Sequence, residues 1–190
     1  MKDYITKVVW TEREVDLIIS KMAEDIKALG FSAEDVIIMV CKGAPVFAFE
    51  LCNRLPVSSS TQVFFSFIRS YERGTIQQKK GEWRTFHDFK DIYLKDKKIW
   101  IIDDVYETGN TLVNIIDSID RWKHGPIKIC VLVNKAGSKC NADIVGIDYE
   151  GKNFLIGRGM DYNELYRFDR HISEIIFKEN QDDPNKNIRN

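Results

Sequence analysis

The sequence predicts an α/β fold in which a central, mostly parallel β-sheet carries helices on both faces. Three largely apolar segments, 36–40, 98–102 and 127–133, are rich in β-branched residues and short for helices, so they predict strands buried on both sides. Two amphipathic segments, 11–29 and 111–122, predict helices. Strands that alternate with helices favour parallel pairing, because each helix returns the chain to the starting edge of the sheet.

The first half of the chain supplies a helix, a strand, a second helix and a second strand. Thr11 and Glu14 resemble a capping box at the start of the first helix, and Gly30 suits its end. Apolar residues recur along this helix at three- and four-residue steps, at Val15, Ile18, Ile19, Met22 and Ile26. Pro45 suits the first turn of the second helix, which we expect to run to about Leu55. The strands of this half are predicted at 36–40 and 62–67.

The second half begins with a polar stretch at 75–84 that has no apolar periodicity. We expect 70–83 to form a lid, or a hairpin that becomes ordered on binding. The strand at 98–102 ends in two acids, and the helix at 111–122 follows. Its apolar stripe consists of Leu112, Ile115, Ile116 and Ile119. Further strands are predicted at 127–133, 144–148 and 153–156.

The charge balance excludes several classes of protein. The chain of 190 residues has 28 Lys and Arg against 29 Asp and Glu, a net charge of -1, so we expect no nucleic-acid or acidic-membrane partner. No apolar run approaches the ~20 residues that a bilayer requires. Four separated cysteines without a CxxC pair predict a reduced, cytoplasmic protein. We expect residues 1–178 to form one domain and 179–190 a flexible polar tail.

The loop between the third predicted strand and its helix carries the strongest functional signal. The strand delivers Asp103 and Asp104 into the loop, and Thr108, Gly109 and Thr111 follow. Amides at the helix start and the threonine hydroxyls would bind a phosphate, and the glycine lets the backbone approach it. The carboxylates would accept hydrogen bonds from sugar hydroxyls or approach a divalent cation. The loop therefore predicts a ribose 5-phosphate site, although the same residues taken singly also fit a turn and a helix cap.

This arrangement resembles the signature of the phosphoribosyltransferase family, in which an apolar strand, two acids and a Thr-Gly-x-Thr loop bind 5-phosphoribosyl 1-diphosphate. The resemblance runs from about Val36 to Ile175 and extends to the hypoxanthine-guanine enzymes of that family. It implies the type I fold of the family, with a small hood built from the N- and C-terminal segments. It also implies Mg²⁺ as cofactor, a purine base as second substrate, and assembly as a homodimer or homotetramer.

The resemblance implies a task for each predicted site residue. Ribosyl diphosphate and pyrophosphate would be bound by Lys42, Gly43, Ser70, Tyr71 and Arg167. The ribose 5-phosphate would be bound by Asp103, Asp104, Glu107, Thr108, Gly109, Asn110 and Thr111. The purine would be bound by Lys135, Phe154, Leu155 and Asp161, with the lysine on O6 and the phenylalanine stacked on the ring. The metal ion would be bound by Asp103, Asp104 and Asp161.

Glu107 is the position at which the sequence departs from the family pattern. The hypoxanthine-guanine enzymes usually have an aspartate here, thought to handle the proton on purine N7, and we expect Glu107 to be the catalytic residue with a longer reach. Two alternatives stay open. In the first, the chain is a non-catalytic regulator that binds the ribosyl diphosphate or a nucleotide. In the second, it is an enzyme whose purine substrate is xanthine or an unusual purine. Lys135 does not separate 6-oxopurines, because all present an oxygen at C6.

Overall fold

A computed structural model describes residues 4–68, 85–87, 90–135 and 140–177 of the chain. They form two sheets and four helices, whose labels are used below. In chain order the elements are β1 (Tyr4–Trp10), α1 (Glu12–Ala28), β2 (Val36–Cys41), α2 (Pro45–Cys52), β3 (Gln62–Ile68), β4 (Thr85–His87), α3 (Asp91–Leu94), β5 (Ile99–Tyr106), α4 (Asn110–Ile119), β6 (Ile127–Lys135), β7 (Ile144–Tyr149), β8 (Phe154–Ile156) and β9 (Ile172–Phe177).

The larger sheet has the strand order β4-β3-β2-β5-β6-β7. The five strands β3, β2, β5, β6 and β7 are parallel, and β4 pairs antiparallel to β3 at one edge. The predicted α/β fold with a mostly parallel sheet is confirmed. Because the strands are parallel, the carboxyl ends of β2, β5 and β6 meet at one edge, where ligands of such sheets bind.

The core lies on both sides of the two central strands. The residues from Val36 to Val40 in β2 and from Ile99 to Ile102 in β5 are all buried, as expected for strands covered on both faces. Helix α1 begins with the predicted capping box between Thr11 and Glu14, and its inner face is buried. Among the few buried polar groups, the Asp35 carboxylate accepts a hydrogen bond of 2.9 Å from the indole Nε1 of Trp100.

The smaller sheet joins the two ends of the chain and matches the predicted hood. Strand β9 lies between β1 and β8 and pairs antiparallel with both. An aromatic cluster covers this sheet. The rings of Tyr4 and Phe154 lie 5.2 and 6.1 Å from that of Tyr162, which also packs against Phe177.

Several predicted boundaries differ from those observed. The strand that carries the acid pair continues through both acids to Tyr106, because β6 continues to pair with it as far as Asn134. The second helix ends at Cys52 and α4 at Ile119, each shorter than predicted. The pattern also failed to predict β1, β4, α3 and β9. The predicted lid at 70–83 and the tail at 179–190 lie outside the described residues.

Two further properties bear on the expected class of protein. Cys41, Cys52, Cys130 and Cys140 form no disulfide in the described residues, and Cys52 and Cys130 are buried. In the described ranges, no helix is long and apolar enough to span a bilayer.

Candidate active site

The acid pair lies in β5, where this strand has neighbours on both sides. Asp103 is 4% exposed and accepts a hydrogen bond of 2.9 Å from the backbone amide of Asp104. Burial, and next the neighbouring carboxylate, raise the pKa of Asp103 well above its ordinary value. Burial also raises the pKa of Asp104, while the Arg167 guanidinium acts in the opposite direction. The pair is therefore a concentration of carboxyl groups that a cation or hydrogen-bond donor would stabilise.

The loop after β5 leads into α4, at whose start the sequence predicts a phosphate site. Gly109 is the N-cap residue of α4, with a φ of 74°. The first hydrogen bond of the helix runs from the Val113 amide to the Gly109 carbonyl at 3.0 Å. The amides of residues 110–112 therefore come before the hydrogen bonds of the helix. Such amides bind anions, and the hydroxyls of Thr108 and Thr111 adjoin them in the chain.

The turn after β2 lies against the acid pair. The Cys41–Lys42 peptide bond is cis, and Gly43 follows it. A Cβ at Gly43 would lie 1.9 Å from Oδ2 of Asp104, so only a residue without a side chain permits this approach. The carboxyl ends of β2 and β5 thus bring two predicted site segments into contact.

The loop between β8 and β9 meets the same turn. A Cβ at Gly159 would lie 1.8 Å from the carbonyl oxygen of Gly43, and the φ of Gly159 is 105°. Gly159 also exchanges hydrogen bonds with Arg167: its amide donates to the Arg167 carbonyl, and its carbonyl accepts from the guanidinium, both at 2.8 Å. This exchange holds the arginine beside the turn that carries Lys42.

Both predicted leaving-group cations are paired with one carboxylate. Nζ of Lys42 lies 2.9 Å from Oε1 of Glu164, and Nη2 of Arg167 lies 2.8 Å from Oε2 of the same residue. The Arg167 guanidinium and then the Lys42 ammonium lower the pKa of Glu164 to about 2. Arg167 also lies 2.7 Å from the Asp161 carboxylate.

At the other side of the phosphate loop, the predicted catalytic acid contacts the predicted purine-binding lysine. Nζ of Lys135, at the end of β6, donates to Oε1 of Glu107 at 2.9 Å. The lysine side chain is 12% exposed and the glutamate side chain 35%. Phe154 begins β8 and contacts Tyr162 in the hood, and Leu155 is buried.

The residues predicted to hold the metal ion do not form one cluster. In the parts of the chain that the structure covers, no three His, Cys, Asp or Glu side chains are placed to hold a metal ion together. Asp161 accepts a hydrogen bond of 2.7 Å from the Glu164 amide and pairs with Arg167. Asp103, which is buried, and its half-buried neighbour Asp104 have the oxygen ligands that Mg²⁺ prefers, so this pair fits a hydrated cation. The assignment of Asp103, Asp104 and Asp161 to the metal ion stays a prediction.

Sequence reasoning missed two residues that build the site. Glu164 follows Asp161 and precedes Arg167 within one loop, and its charge there was the available signal. Arg158 is fully buried with a φ of 51°, and it pairs with Glu50 of α2 and, at 2.8 Å, with Asp16 of α1. No sequence pattern distinguishes such an arginine from a surface one. Ser70 and Tyr71, which were predicted, lie outside the described residues.

The fold and site together have the features of a phosphosugar-binding α/β protein: a helix start of the kind that binds anions and a pair of acids meet at the carboxyl edge of a parallel sheet. The profile of the phosphoribosyl transferase domain matches residues 11–167. The chain belongs to this family, and the resemblance noted from the sequence is confirmed.

Within this family, the chain is similar to hypoxanthine and hypoxanthine-guanine phosphoribosyltransferases. The hypoxanthine phosphoribosyltransferase of Buchnera aphidicola subsp. Schizaphis graminum is 28% identical over 179 residues, which cover 90% of this chain and 97% of the relative. The hypoxanthine-guanine phosphoribosyltransferase of Staphylococcus aureus strain Mu50 is 29% identical over 171 residues, 88% and 92% of the two chains. A crystal structure of a hypoxanthine phosphoribosyltransferase from Staphylococcus aureus superposes with a TM-score of 0.76 at 25% identity and covers 92% of each chain.

Proposed function

We propose that this protein transfers the 5-phosphoribosyl group from 5-phosphoribosyl 1-diphosphate to N9 of a 6-oxopurine such as hypoxanthine or guanine. The products are a purine nucleotide and pyrophosphate, a reaction of purine salvage. The observation that carries the proposal is the Asp103–Asp104 pair beside the Gly43 turn, next to the start of α4. The similarity to hypoxanthine and hypoxanthine-guanine phosphoribosyltransferases over most of the chain supports the choice of base.

The sugar phosphate would lie on the start of α4. Amides at this end carry a partial positive charge, and Thr108, Asn110 and Thr111 add polar side chains there. Asp103 and Asp104 would accept hydrogen bonds from the ribose hydroxyls. This arrangement fixes C1 of the sugar relative to the base and the leaving group, which lowers the entropic part of the barrier.

The diphosphate would leave towards the cations at the neighbouring turn. Displacement at C1 gives the sugar oxocarbenium character, as in glycoside hydrolysis, and negative charge accumulates on the departing oxygen. Lys42 and Arg167 are held on this side by the contact of Gly159 with Gly43. They would stabilise the developing charge. Asp103 and Asp104 would hold a hydrated Mg²⁺ ion, which would supply neutralisation of the diphosphate charge.

The base would lie between Lys135 and the hood. The Lys135 ammonium would donate to O6, and Glu107 would take the proton from N7 as N9 bonds to C1 and the bond from C1 to pyrophosphate breaks. In the structure these two side chains already pair at 2.9 Å. The purine would therefore insert between a donor and an acceptor that satisfy one another in its absence, with Phe154 stacked on its ring.

The same lysine would discriminate between purines. A 6-aminopurine would direct an NH₂ donor at the Lys135 ammonium, which is itself only a donor and offers no acceptor atom. Unpaired donors in a desolvated site are costly. We therefore propose that adenine is a poor substrate. The remaining expectations also stand as proposals: closure of a lid that includes Ser70 and Tyr71, a cytoplasmic location, and a homodimer or homotetramer.

Incubation with 5-phosphoribosyl 1-diphosphate, Mg²⁺ and each purine base in turn, followed by absorbance, tests the proposal. We expect nucleotide from hypoxanthine or guanine and at least about 100-fold less from adenine. A double variant, Asp103→Asn/Asp104→Asn, should remove turnover, whereas Glu34→Gln, an exposed acid paired with Lys97, should not. Tight binding of the ribosyl diphosphate without turnover of any purine would instead favour the regulatory alternative.

A further inference from the structure

We propose that Glu164 is a built-in competitor for the leaving group: its carboxylate occupies the two cations that receive the diphosphate and must be displaced before pyrophosphate binds there. The inference rests on the proposed function and concerns the same site. It assigns to Glu164 a task that neither the sequence pattern nor the roles of Lys42 and Arg167 require.

The geometry of the carboxylate carries this inference. Its two oxygens are divided between two cations, with Oε1 at 2.9 Å from Lys42 and Oε2 at 2.8 Å from Arg167. Carboxylate and phosphate oxygens bind the same donors, because both groups present negatively charged oxygen acceptors to ammonium and guanidinium groups. A diphosphate bound to these cations therefore competes directly with Glu164.

The loop holds Glu164 in this position at a conformational cost. The residue has a φ of 61° and follows Asn163 with a φ of 55°, in a region that branched and long side chains seldom adopt. Its amide donates to Oδ2 of Asp161 at 2.7 Å. Arg167 is fixed in turn by the carbonyl of Gly159. The backbone is thus shaped to aim a carboxylate at the cations, although a shorter polar residue would fit this conformation more easily.

The exposure of the pair indicates that it contributes little to folding. The side chains of Lys42 and Glu164 are 62% and 47% exposed, and ion pairs this exposed stabilise a fold only weakly. Lys42, Arg167, Asp161 and Glu164 together carry no net charge, so the loss of one carboxylate leaves a positive site for a polyanion.

A competitor of this kind has a kinetic consequence. When pyrophosphate departs, Glu164 satisfies both cations at once, which favours release over rebinding. A variant without the charge should hold pyrophosphate longer. If product release limits turnover, kcat falls while the KM for 5-phosphoribosyl 1-diphosphate falls as well. A residue with a purely structural task would raise that KM when it is replaced.

The direct test is calorimetric titration of inorganic pyrophosphate with Mg²⁺ into the wild type, Glu164→Gln and Glu164→Asp. We expect Kd to fall about three- to tenfold in Glu164→Gln, the range expected for release of two weak ion pairs. Glu164→Asp keeps the charge but shortens its reach and suits the backbone, so its Kd should lie between the two. Glu34→Gln is the matched control, because it removes an exposed acid that pairs with Lys97 rather than with these cations, and it should leave Kd unchanged.

A second titration separates failure of this inference from failure of the proposed function. Inosine monophosphate would use the phosphate loop and the purine pocket, and neither requires Lys42 or Arg167, so its Kd should be the same in wild type and Glu164→Gln. If neither the wild type nor Glu164→Gln binds the nucleotide, the proposed function fails. If the nucleotide binds equally but pyrophosphate binds no more tightly to Glu164→Gln, the competitor is refuted. Weaker binding of both ligands would indicate a structural residue and would also refute it.

A double-mutant cycle with Lys42→Met adds a check on the partner. The gain from Glu164→Gln should shrink in the Lys42→Met background, because half of the competition has been removed. An undiminished gain would show that Glu164 does not act through Lys42, contrary to the proposal.

Discussion

The side chain of Glu107 shows how one added methylene alters a site without removing its chemistry. An aspartate would stand at this position in the family pattern, and the glutamate Oε1 lies 2.9 Å from Nζ of Lys135. The reference pKa values of the two acids differ little, about 4.3 against 3.9, so both can accept a proton at neutral pH. The longer side chain therefore changes geometry and pairing more than acidity.

Two variants at position 107 test the catalytic role of this glutamate. Glu107→Gln keeps the size but removes the base, so we expect kcat to fall by about 100- to 10,000-fold, the usual contribution of a general base. Glu107→Asp keeps the base and should retain more activity than Glu107→Gln. Steady-state assays with hypoxanthine measure both, and Glu34→Gln is the control for loss of an acid elsewhere. Turnover by Glu107→Gln equal to that of the wild type would remove the catalytic role.

Among single residues, those of the phosphate loop could be read from the sequence because they are contiguous. Asp103, Asp104 and the Thr-Gly-x-Thr run follow one strand, and strand ends of a parallel sheet converge by topology. Glu164 could not be identified this way. Its role depends on a contact with Lys42 across 122 positions, and the pattern around it gives no measure of that distance.

At the scale of elements, two glycines set how closely the turn after β2 approaches its neighbours. Gly159→Ala would place a Cβ 1.8 Å from the Gly43 carbonyl oxygen, and its φ of 105° also disfavours alanine. We expect a loss of more than about 1 kcal/mol in the free energy of unfolding, together with weaker pyrophosphate binding. Urea denaturation and calorimetry measure the two effects.

The matched control for this variant is Gly30→Ala. Gly30 has a φ of 77°, but a Cβ there would meet only Nζ of Lys98 at 3.7 Å, an ordinary contact. The backbone cost is shared, so any excess loss in Gly159→Ala reports the close approach. Equal losses in the two variants, with pyrophosphate binding intact, would contradict the role assigned to this contact.

The amino-terminal edge of the sheet depends on a buried hydrogen bond. Asp35→Ala would leave Nε1 of Trp100 without its acceptor, and the Trp100 side chain is 1% exposed. We expect unfolding to become easier by about 1–3 kcal/mol, the penalty for an unsatisfied buried donor. Urea denaturation should show this loss, while kcat at saturating substrate is unchanged. Glu34→Ala, at an exposed neighbour, should stay within about 0.5 kcal/mol of the wild type, and an equal effect of both would refute the assignment.

The elements that the sequence predicted well are those with a strong internal pattern. The capping box and apolar stripe of α1, and the continuous apolar runs of β2 and β5, each indicate their element without tertiary information. The pattern did not identify β1 or β9. Most of β1 is exposed, and both strands depend on pairing across the length of the chain, from Tyr4 to Phe177. The extension of β5 to Tyr106 depends on β6 in the same way.

At the scale of the whole molecule, one carboxylate links the hood to the larger sheet. Glu174 of β9 accepts hydrogen bonds of 2.9 Å from Asn153 and from Tyr149, the last residue of β7, and lies 3.4 Å from Lys7 of β1. The hydrogen bond from Asn153, followed by those from Tyr149 and Lys7, lowers the pKa of Glu174 despite its burial. This carboxylate links both sheets.

A lowered folded-state pKa gives the pH dependence a definite sign. The stabilisation is complete above the unfolded-state pKa, about 4.3, and is lost as the pH falls through the lower folded-state pKa. Glu174→Gln should therefore be less stable than the wild type at pH 7, and the gap should narrow below about pH 4. Urea denaturation between pH 7 and pH 3 measures it. Glu24→Gln, at an exposed site on α1, should follow the wild type throughout, and a gap that stays constant or widens in acid would contradict the argument.

We propose that the carboxyl edge of the sheet, between the acid pair and the start of α4, binds a ribosyl phosphate, and the proposed function depends on this binding. The most direct measurement is calorimetric titration of 5-phosphoribosyl 1-diphosphate with Mg²⁺ into the wild type and into Thr108→Val/Thr111→Val. We predict one ligand per chain for the wild type and at least about tenfold weaker binding for the variant, since two hydroxyl donors to an anion are lost. No heat with the wild type, or equal affinity for both proteins, would contradict the claim.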